Sequence, residues 1–401
     1  MTKEQLLTEA KAIASEIQTH RRWLHAHAET GFDLTETKSY VKSELKKLGY
    51  SVAECGKAGL VTTIGTEGKT ILLRADMDAL PIREEAEVEF ASTNGRMHAC
   101  GHDMHTAMLL GAAKLLKNHA SELQGTVKLM FQPAEEIFEG GKDMIENGVL
   151  KNPDVDAAVM IHVTAGLPIL AGTVIVSAPG VTAPAADYFK IHVQGKGCHG
   201  SAPQNGIDSL TAAAHILIAM QEIQARELAS TDEAVLTIGT FHGGTAENVI
   251  ADSAELGGTI RTYDENTRSF LKERMTQIAE GIAAAFRATA TVTFGSGCPT
   301  LVNDAALCTK VDGYLKELLG PYGALNAAAM NPSGKPARGG GSEDFAYVSQ
   351  QVPALMLALA AGEPAKGYTY PQHHPKVKFD ESVLPIGSAA FAWTAIAYLG
   401  D

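Results

Sequence analysis

Thr70-Ile71-Leu72-Leu73-Arg74-Ala75-Asp76-Met77-Asp78 is a short apolar, β-rich run that ends on two carboxylates. The pattern recurs twice. Residues 126–131 run into Gln132-Pro133-Ala134-Glu135-Glu136, and residues 157–161 run into His162. Between the first two lies a helical stretch, residues 105–119, with Leu109, Leu110 and Leu115 on or near one face. A shorter helical stretch, around residues 141–147, separates the second from the third. Buried strands alternating with helices predict an α/β domain with a largely parallel sheet and helices on both faces. Ligands of such sheets bind outside the carboxyl ends of the strands. Here each strand delivers acid or imidazole side chains at that end.

The pattern changes downstream. Residues 188–193 alternate like a half-buried strand and residues 207–223 read as a helix. Residues 234–241 and 254–262 read as strands. Leu271, Met275, Ile278, Ile282 and Phe286 recur at helical spacing, and residues 290–294 read as a strand. The order β-α-β-β-α-β is the ferredoxin-like split unit. We therefore expect an inserted α+β domain at residues 184–295, with residues 1–183 and 296–401 forming one discontinuous α/β domain. Pro179, Gly180 and Pro184 mark the entry, and Gly295, Gly297 and Pro299 the exit. Upstream of the first strand, Thr2 and Gln5 have capping-box spacing, and Leu6, Ala10, Ile13 and Ile17 predict one opening helix. The tail adds a helix at 311–319, a buried strand at 354–360 and a final helix at 384–398. Two loops interrupt it, Gly339-Gly340-Gly341-Ser342-Glu343-Asp344 and Gln372-His373-His374-Pro375.

The 401 residues carry 33 Lys and Arg against 46 Asp and Glu, a formal net charge of −13. That balance disfavours nucleic acid and anionic membrane as partners. The reading expects no apolar run long enough to span a bilayer, and no apolar signal core in residues 1–22. Five scattered cysteines, Cys55, Cys100, Cys198, Cys298 and Cys308, do not form a disulfide framework. The expected location is the cytoplasm.

Met97-His98-Ala99-Cys100-Gly101-His102-Asp103-Met104-His105 packs a thiol, three imidazoles and a carboxylate into nine residues. Thiolate and imidazole are preferred ligands of zinc and its transition-series neighbours. A buried Cys with surface His at a helix start would look the same. Glu135 and Glu136 are adjacent, so on an extended chain they point opposite ways. One can bind a metal while the other acts as general base. Alone, each of these residues has a plainer explanation: an acidic pair at a helix start, a hydrogen-bonded His162, a surface His pair, strand-end caps at Asp76 and Asp78. Together, the carboxyl edge of one sheet would collect Cys100, His102, Glu136, His162 and one of His373 and His374. That donor set suits two divalent ions sharing a bridging group, with Glu135 left to take a proton from water. Its mixed S, N and O donors fit Zn²⁺, Mn²⁺, Co²⁺ or Ni²⁺.

In order along nearly the whole chain, the sequence resembles peptidase family M20, and within it subfamily D. That branch holds hippurate hydrolase-like, N-acyl-amino-acid and auxin-conjugate amidohydrolases. The resemblance runs through Leu24-His25-Ala26-His27, Arg74 to Pro81, Met97 to Asp103 and Phe131 to Glu136. It continues through His199-Gly200, Asn248-Val249-Ile250, Ser342-Glu343-Asp344-Phe345 and His373-His374-Pro375. It implies Cys100 as bridging ligand, with His102, Glu136, His162 and His373 completing a site for two divalent ions per subunit. Glu135 would be general base and then general acid. Asp78 would orient a ligand imidazole. The inserted domain would be a lid and dimerisation domain of a homodimer, His199 on it an oxyanion donor, and Asn248 and Arg261 substrate-holding residues. The sequence departs from the family pattern at Ala28, at Gln204-Asn205 and at Ala251. None of these is a ligand position.

The implied activity is hydrolysis of the amide bond of N-acyl amino acids or similar small conjugates. A dipeptidase or aminopeptidase on the same fold is the first alternative. A hydrolase with Cys100 as nucleophile leaves Glu136 and His162 without a role. A non-catalytic binding protein leaves Glu135 without one.

Overall fold

A computed structural model describes residues 1–330 and 340–401. Gly339, the first residue of the glycine-rich loop, lies outside the described residues. The chain divides into two compact units. Of the described residues, one holds Met1–Thr182, 301–330 and Glu343–Asp401; the other holds Ala183–Thr300 and 340–342.

The first unit is built on an eight-stranded sheet. From one edge its strands are Ala53–Cys55, Gly59–Gly65, Thr126–Gln132, Thr70–Asp76, Ala157–Thr164, Ala354–Ala360, Val174–Val176 and Ala324–Asn326. The four central strands run parallel. The strands next to them, Gly59–Gly65 and Val174–Val176, pair with them antiparallel. Every residue of Thr70–Asp76 is buried, because helices cover both faces. Ile71, Leu73 and Ala75 face the main core, which includes helices Ala14–Ala26, His102–Asn118 and Leu384–Gly400. The opposite face carries the short helices Gly140–Glu146 and Ala346–Ser349.

Three local readings change. The opening helix is two helices, Lys3–Ala12 and Ala14–Ala26, broken at Ile13; Leu6, Ala10 and Ile17 stay buried across the break. The Thr2–Gln5 capping box is present. The helix read at 105–119 begins at His102, because Gly101 takes a left-handed φ of 92° and turns the chain into it three residues early. The span 381–400 is, against expectation, long and apolar enough to cross a membrane by length and composition. Packing accounts for its apolarity: 72% of its most apolar window is buried in the first unit's core.

The second unit is a four-stranded antiparallel sheet in the order Ala234–Gly243, Ser253–Thr262, Ala185–Gln194, Thr289–Cys298. Helices Ser209–Glu222 and Glu265–Ala285 pack on one face around Ile191, Leu256, Ile216 and Met275. This is the ferredoxin-like arrangement. Its last strand continues past a bulge after Phe294, where Gly297 and Cys298 pair with Asp187 and Ala186.

Candidate metal centre and active site

Parallel pairing brings the carboxyl ends of Thr70–Asp76, Thr126–Gln132 and Ala157–Thr164 to one edge of the sheet. Cys100 and His102, the latter opening a helix, meet that edge. The loop carrying His373 is tied to it twice: His373 N donates to Ala99 O at 2.9 Å and Gln372 Nε2 to Val163 O at 2.9 Å. Two of the residues here hold left-handed backbone, Ala134 at φ 56° and His373 at φ 66°. Strain of this kind persists only where the surroundings impose it.

The imidazoles have defined tautomers. His102 Nδ1 donates to the Asp78 carbonyl at 2.8 Å, and His162 Nδ1 donates to the Val163 carbonyl at 2.7 Å. A carbonyl only accepts, so each ring in its neutral form keeps Nε2 as a lone pair. His162 Nε2 lies 3.6 Å from Cys100 Sγ. His373 Nε2 lies 3.3 Å from the same sulfur and 3.7 Å from Glu136 Oε1. His102 Nε2 lies 3.8 Å from Glu136 Oε1. The donors fall into two triads, Cys100–His102–His162 and Cys100–Glu136–His373, each with its atoms within 4.8 Å of one another. Cys100 belongs to both. Buried His102 Nε2 and Glu136 Oε1 have no hydrogen-bond partner. Such atoms are costly unless something binds them. The donor set fits a pair of divalent ions with a shared thiolate.

The electrostatics agree. Burial pushes the Cys100 thiol far above its ordinary range, so a bound cation is what would hold it as thiolate. Burial also pushes Glu136 up to about 7. Glu135 is raised by burial and by the Glu343 and Glu136 carboxylates beside it. Its Oε2 is 3.9 Å from His102 Nε2. Unlike Glu136, it stands in neither triad that contains Cys100.

Asp78 acts in two ways. Its main-chain carbonyl sets the His102 ring, and its carboxylate accepts the backbone N–H groups of Glu135 at 3.0 Å and Glu136 at 3.2 Å. His374 is engaged elsewhere: its Nδ1 accepts from Lys376 N at 3.0 Å and its ring stacks on Tyr370. His199, Asn248 and Arg261 lie in the second unit. His199 is exposed and pairs with Val249 across a two-stranded ribbon, where Gly200 N donates to Asn248 O at 2.7 Å. Arg261 is on the four-stranded sheet, its Nη1 donating to Ile260 O at 3.0 Å and its guanidinium 5.8 Å from the Tyr188 ring centroid.

From the sequence alone Arg74 has no role, and Asp76 reads as a possible strand-end cap. Arg74 is fully buried. It donates to Gln132 Oε1 at 3.0 Å, Asp76 Oδ2 at 2.7 Å, Glu343 Oε1 at 2.8 Å and Asp344 Oδ1 at 3.0 Å. Asp76 in turn accepts from His105 Nδ1 at 2.6 Å, and His105 Nε2 accepts from Val163 N at 2.8 Å. An arginine inside a strand that is apolar on both faces was the available signal, since a buried guanidinium must be surrounded by acceptors.

Residues 72–396 match the profile of Peptidase family M20/M25/M40. An IAA-amino acid hydrolase, ILR1-like 2, of Arabidopsis thaliana is 38% identical over 95% of this chain and 84% of its own length. An N-acetyl-L-cysteine deacetylase of Bacillus subtilis is 36% identical over 91% of this chain and 83% of its own. A crystal structure from Bacillus subtilis, described as a dinuclear metal binding peptidase from the M20 family, superposes with a TM-score of 0.78 at 33% identity, covering 97% of this chain and 99% of that one. The match runs from the first strand that feeds the metal centre to the last helix of the core: the chain belongs to peptidase family M20/M25/M40.

Proposed function

We propose that the protein is a metal-dependent amidohydrolase that cleaves the bond between an acyl group and the nitrogen of an amino acid. The observation that carries this is the pair of donor triads sharing Cys100, with Glu135 beside them and outside both. Two divalent ions held by Cys100, His102, His162, Glu136 and His373 would acidify water and polarise the scissile carbonyl. Glu135 Oε2 takes a proton from water as its oxygen attacks the carbonyl carbon. The same oxygen returns the proton to the amine nitrogen as the C–N bond breaks. Asp78 keeps the Glu135–Glu136 backbone and the His102 ring in register with this geometry. Zn²⁺, Mn²⁺, Co²⁺ and Ni²⁺ all suit the donors.

We assign His199 as a donor to the developing oxyanion and Asn248 and Arg261 to holding substrate. The His199 tautomer supports the first role: its Nδ1 accepts from Ser201 N at 3.1 Å, so a neutral ring carries its proton on Nε2. The second unit is read as a lid and dimerisation domain of a homodimer. A single-chain mass in solution would remove the dimer. The cysteines are scattered along the sequence rather than spaced as a disulfide framework, which agrees with a reducing compartment, and we place the enzyme in the cytoplasm.

The substrate reading draws on relatives that act on an IAA–amino acid and on N-acetyl-L-cysteine. The description of the similar crystal structure as a peptidase supports a second reading, a free dipeptide. A panel of N-acetyl amino acids, N-benzoyl amino acids and dipeptides, assayed on metal-reconstituted enzyme, separates them. N-acyl amino acids are expected to give the higher kcat/KM. A preference for dipeptides with a free amine would overturn the amidohydrolase reading in favour of the peptidase.

A further inference from the structure

The segment Glu343-Asp344-Phe345 is buried at the metal centre, yet none of the roles above uses it. Glu135, Glu343 and Asp344 bring carboxylate oxygens within 4.8 Å of one another, with the Arg74 guanidinium among them. Asp344 is fully buried, and beside the Glu135 and Glu343 carboxylates its own carboxylate accepts three hydrogen bonds. Oδ1 accepts from Gln132 Nε2 at 2.6 Å and from Arg74 Nη2 at 3.0 Å. Oδ2 accepts from Gly141 N at 2.8 Å. Three donors from three elements therefore fix this one side chain. The backbone of Asp344 is aimed at the base: its N–H donates to Glu135 Oε1 at 3.3 Å. Glu343, also paired with Arg74, accepts from Phe345 N at 2.8 Å and steadies the same turn.

We propose that Asp344 is a positioning residue that decides which oxygen of Glu135 carries the proton. Its N–H occupies Oε1. That leaves Oε2, the oxygen 3.9 Å from His102 Nε2, to receive the proton from water and to give it up to the leaving amine. The anchor is the Asp344 carboxylate, and Arg74, Gln132 and Gly141 are what it is anchored to. A base whose two oxygens exchanged freely would spend part of its time with the wrong one presented, and near-attack geometry is sensitive to shifts of about 1 Å. The proposal rests on Glu135 being the base.

The test uses two variants of the full-length enzyme loaded with metal. Asp344→Asn must turn an amide N–H toward one of three donors, so the anchor fails without loss of volume. Gly141→Ala leaves every charge in place. Its new β-carbon would lie 2.7 Å from the Asp344 carbonyl oxygen and 3.3 Å from its carboxylate, which displaces the turn. Both are expected to lose about 10- to 100-fold in kcat, with KM within about twofold and metal content unchanged. The solvent deuterium isotope effect on kcat should rise, as proton transfer becomes slower. A role in stability alone would instead lower folded, metal-loaded protein in proportion to activity. Glu135→Gln, run alongside, separates the two claims. If it keeps turnover, the base assignment falls and this proposal falls with it. If it is inactive while both variants, folded and metal-loaded, turn over at the wild-type rate, the proposal alone is overturned. Loss of activity only in step with loss of metal or fold in both variants also overturns it.

Discussion

Glu135 and Glu136 are neighbours with different work because the backbone between them is held, not because their side chains differ. Asp78 accepts both of their N–H groups, and Ala134 before them is forced to a φ of 56°. One carboxylate is thereby committed to the Cys100–His373 triad and the other is not. Glu135→Gln should therefore keep metal and lose about 10²–10⁴-fold in turnover, the usual contribution of a general base. Glu136→Gln should lower metal occupancy. In the same set, His373→Ala should lose metal and His374→Ala should keep it, since the second ring is spent on Lys376 and Tyr370. Metal content and kcat on the four proteins decide it, and an exchanged pattern within either pair would reverse that assignment. At this scale the residues that the structure gathers into the two triads were legible in the sequence, because taken together they place thiol, imidazole and carboxylate at the carboxyl edge of one sheet. Arg74 and Asp344 were not legible as a pair. They are 270 residues apart, and only the fold brings the guanidinium to the carboxylate.

The helix His102–Asn118 sets the metal centre through its first turn. Its start depends on Gly101 at φ 92°, where a β-carbon would meet Val163 Cγ2 at 2.4 Å and the Phe379 ring at 3.1 Å. Gly101→Ala combines an unfavourable left-handed residue, about 1–2 kcal/mol, with that overlap. We expect a lower Tm and weaker metal affinity, with the Glu135 environment spared. Calorimetry and metal titration check it, and an unchanged Tm and affinity would contradict it. The central strands and main helices could be read from apolar runs and periodicity. Gly59–Gly65, Val174–Val176 and Ala324–Asn326 could not. The first holds four polar or glycine positions among its seven residues, and the other two are three residues long, too short for a period to show. The left-handed turn at Gly101 was likewise invisible, so the helix was read from His105.

The whole chain combines a buried catalytic sheet with a second unit that the sequence reads as lid and dimerisation domain. The most apolar helix lies in the core of the first unit rather than in a membrane, which its composition alone could not distinguish. Substrate choice was the least legible feature, because neither His199 nor the proposed substrate-holding Asn248 and Arg261 names an acyl group by its chemistry. The central claim is narrower: hydrolysis depends on two ions sharing Cys100. The measurement that tests it most directly is activity toward an N-acyl amino acid during metal titration of exhaustively chelated enzyme, with bound metal counted at each step. The account predicts no hydrolysis without metal and full recovery at two equivalents of Zn²⁺, Mn²⁺ or Co²⁺ per chain. Full activity in protein shown to be free of metal would contradict it and return Cys100 to the role of nucleophile.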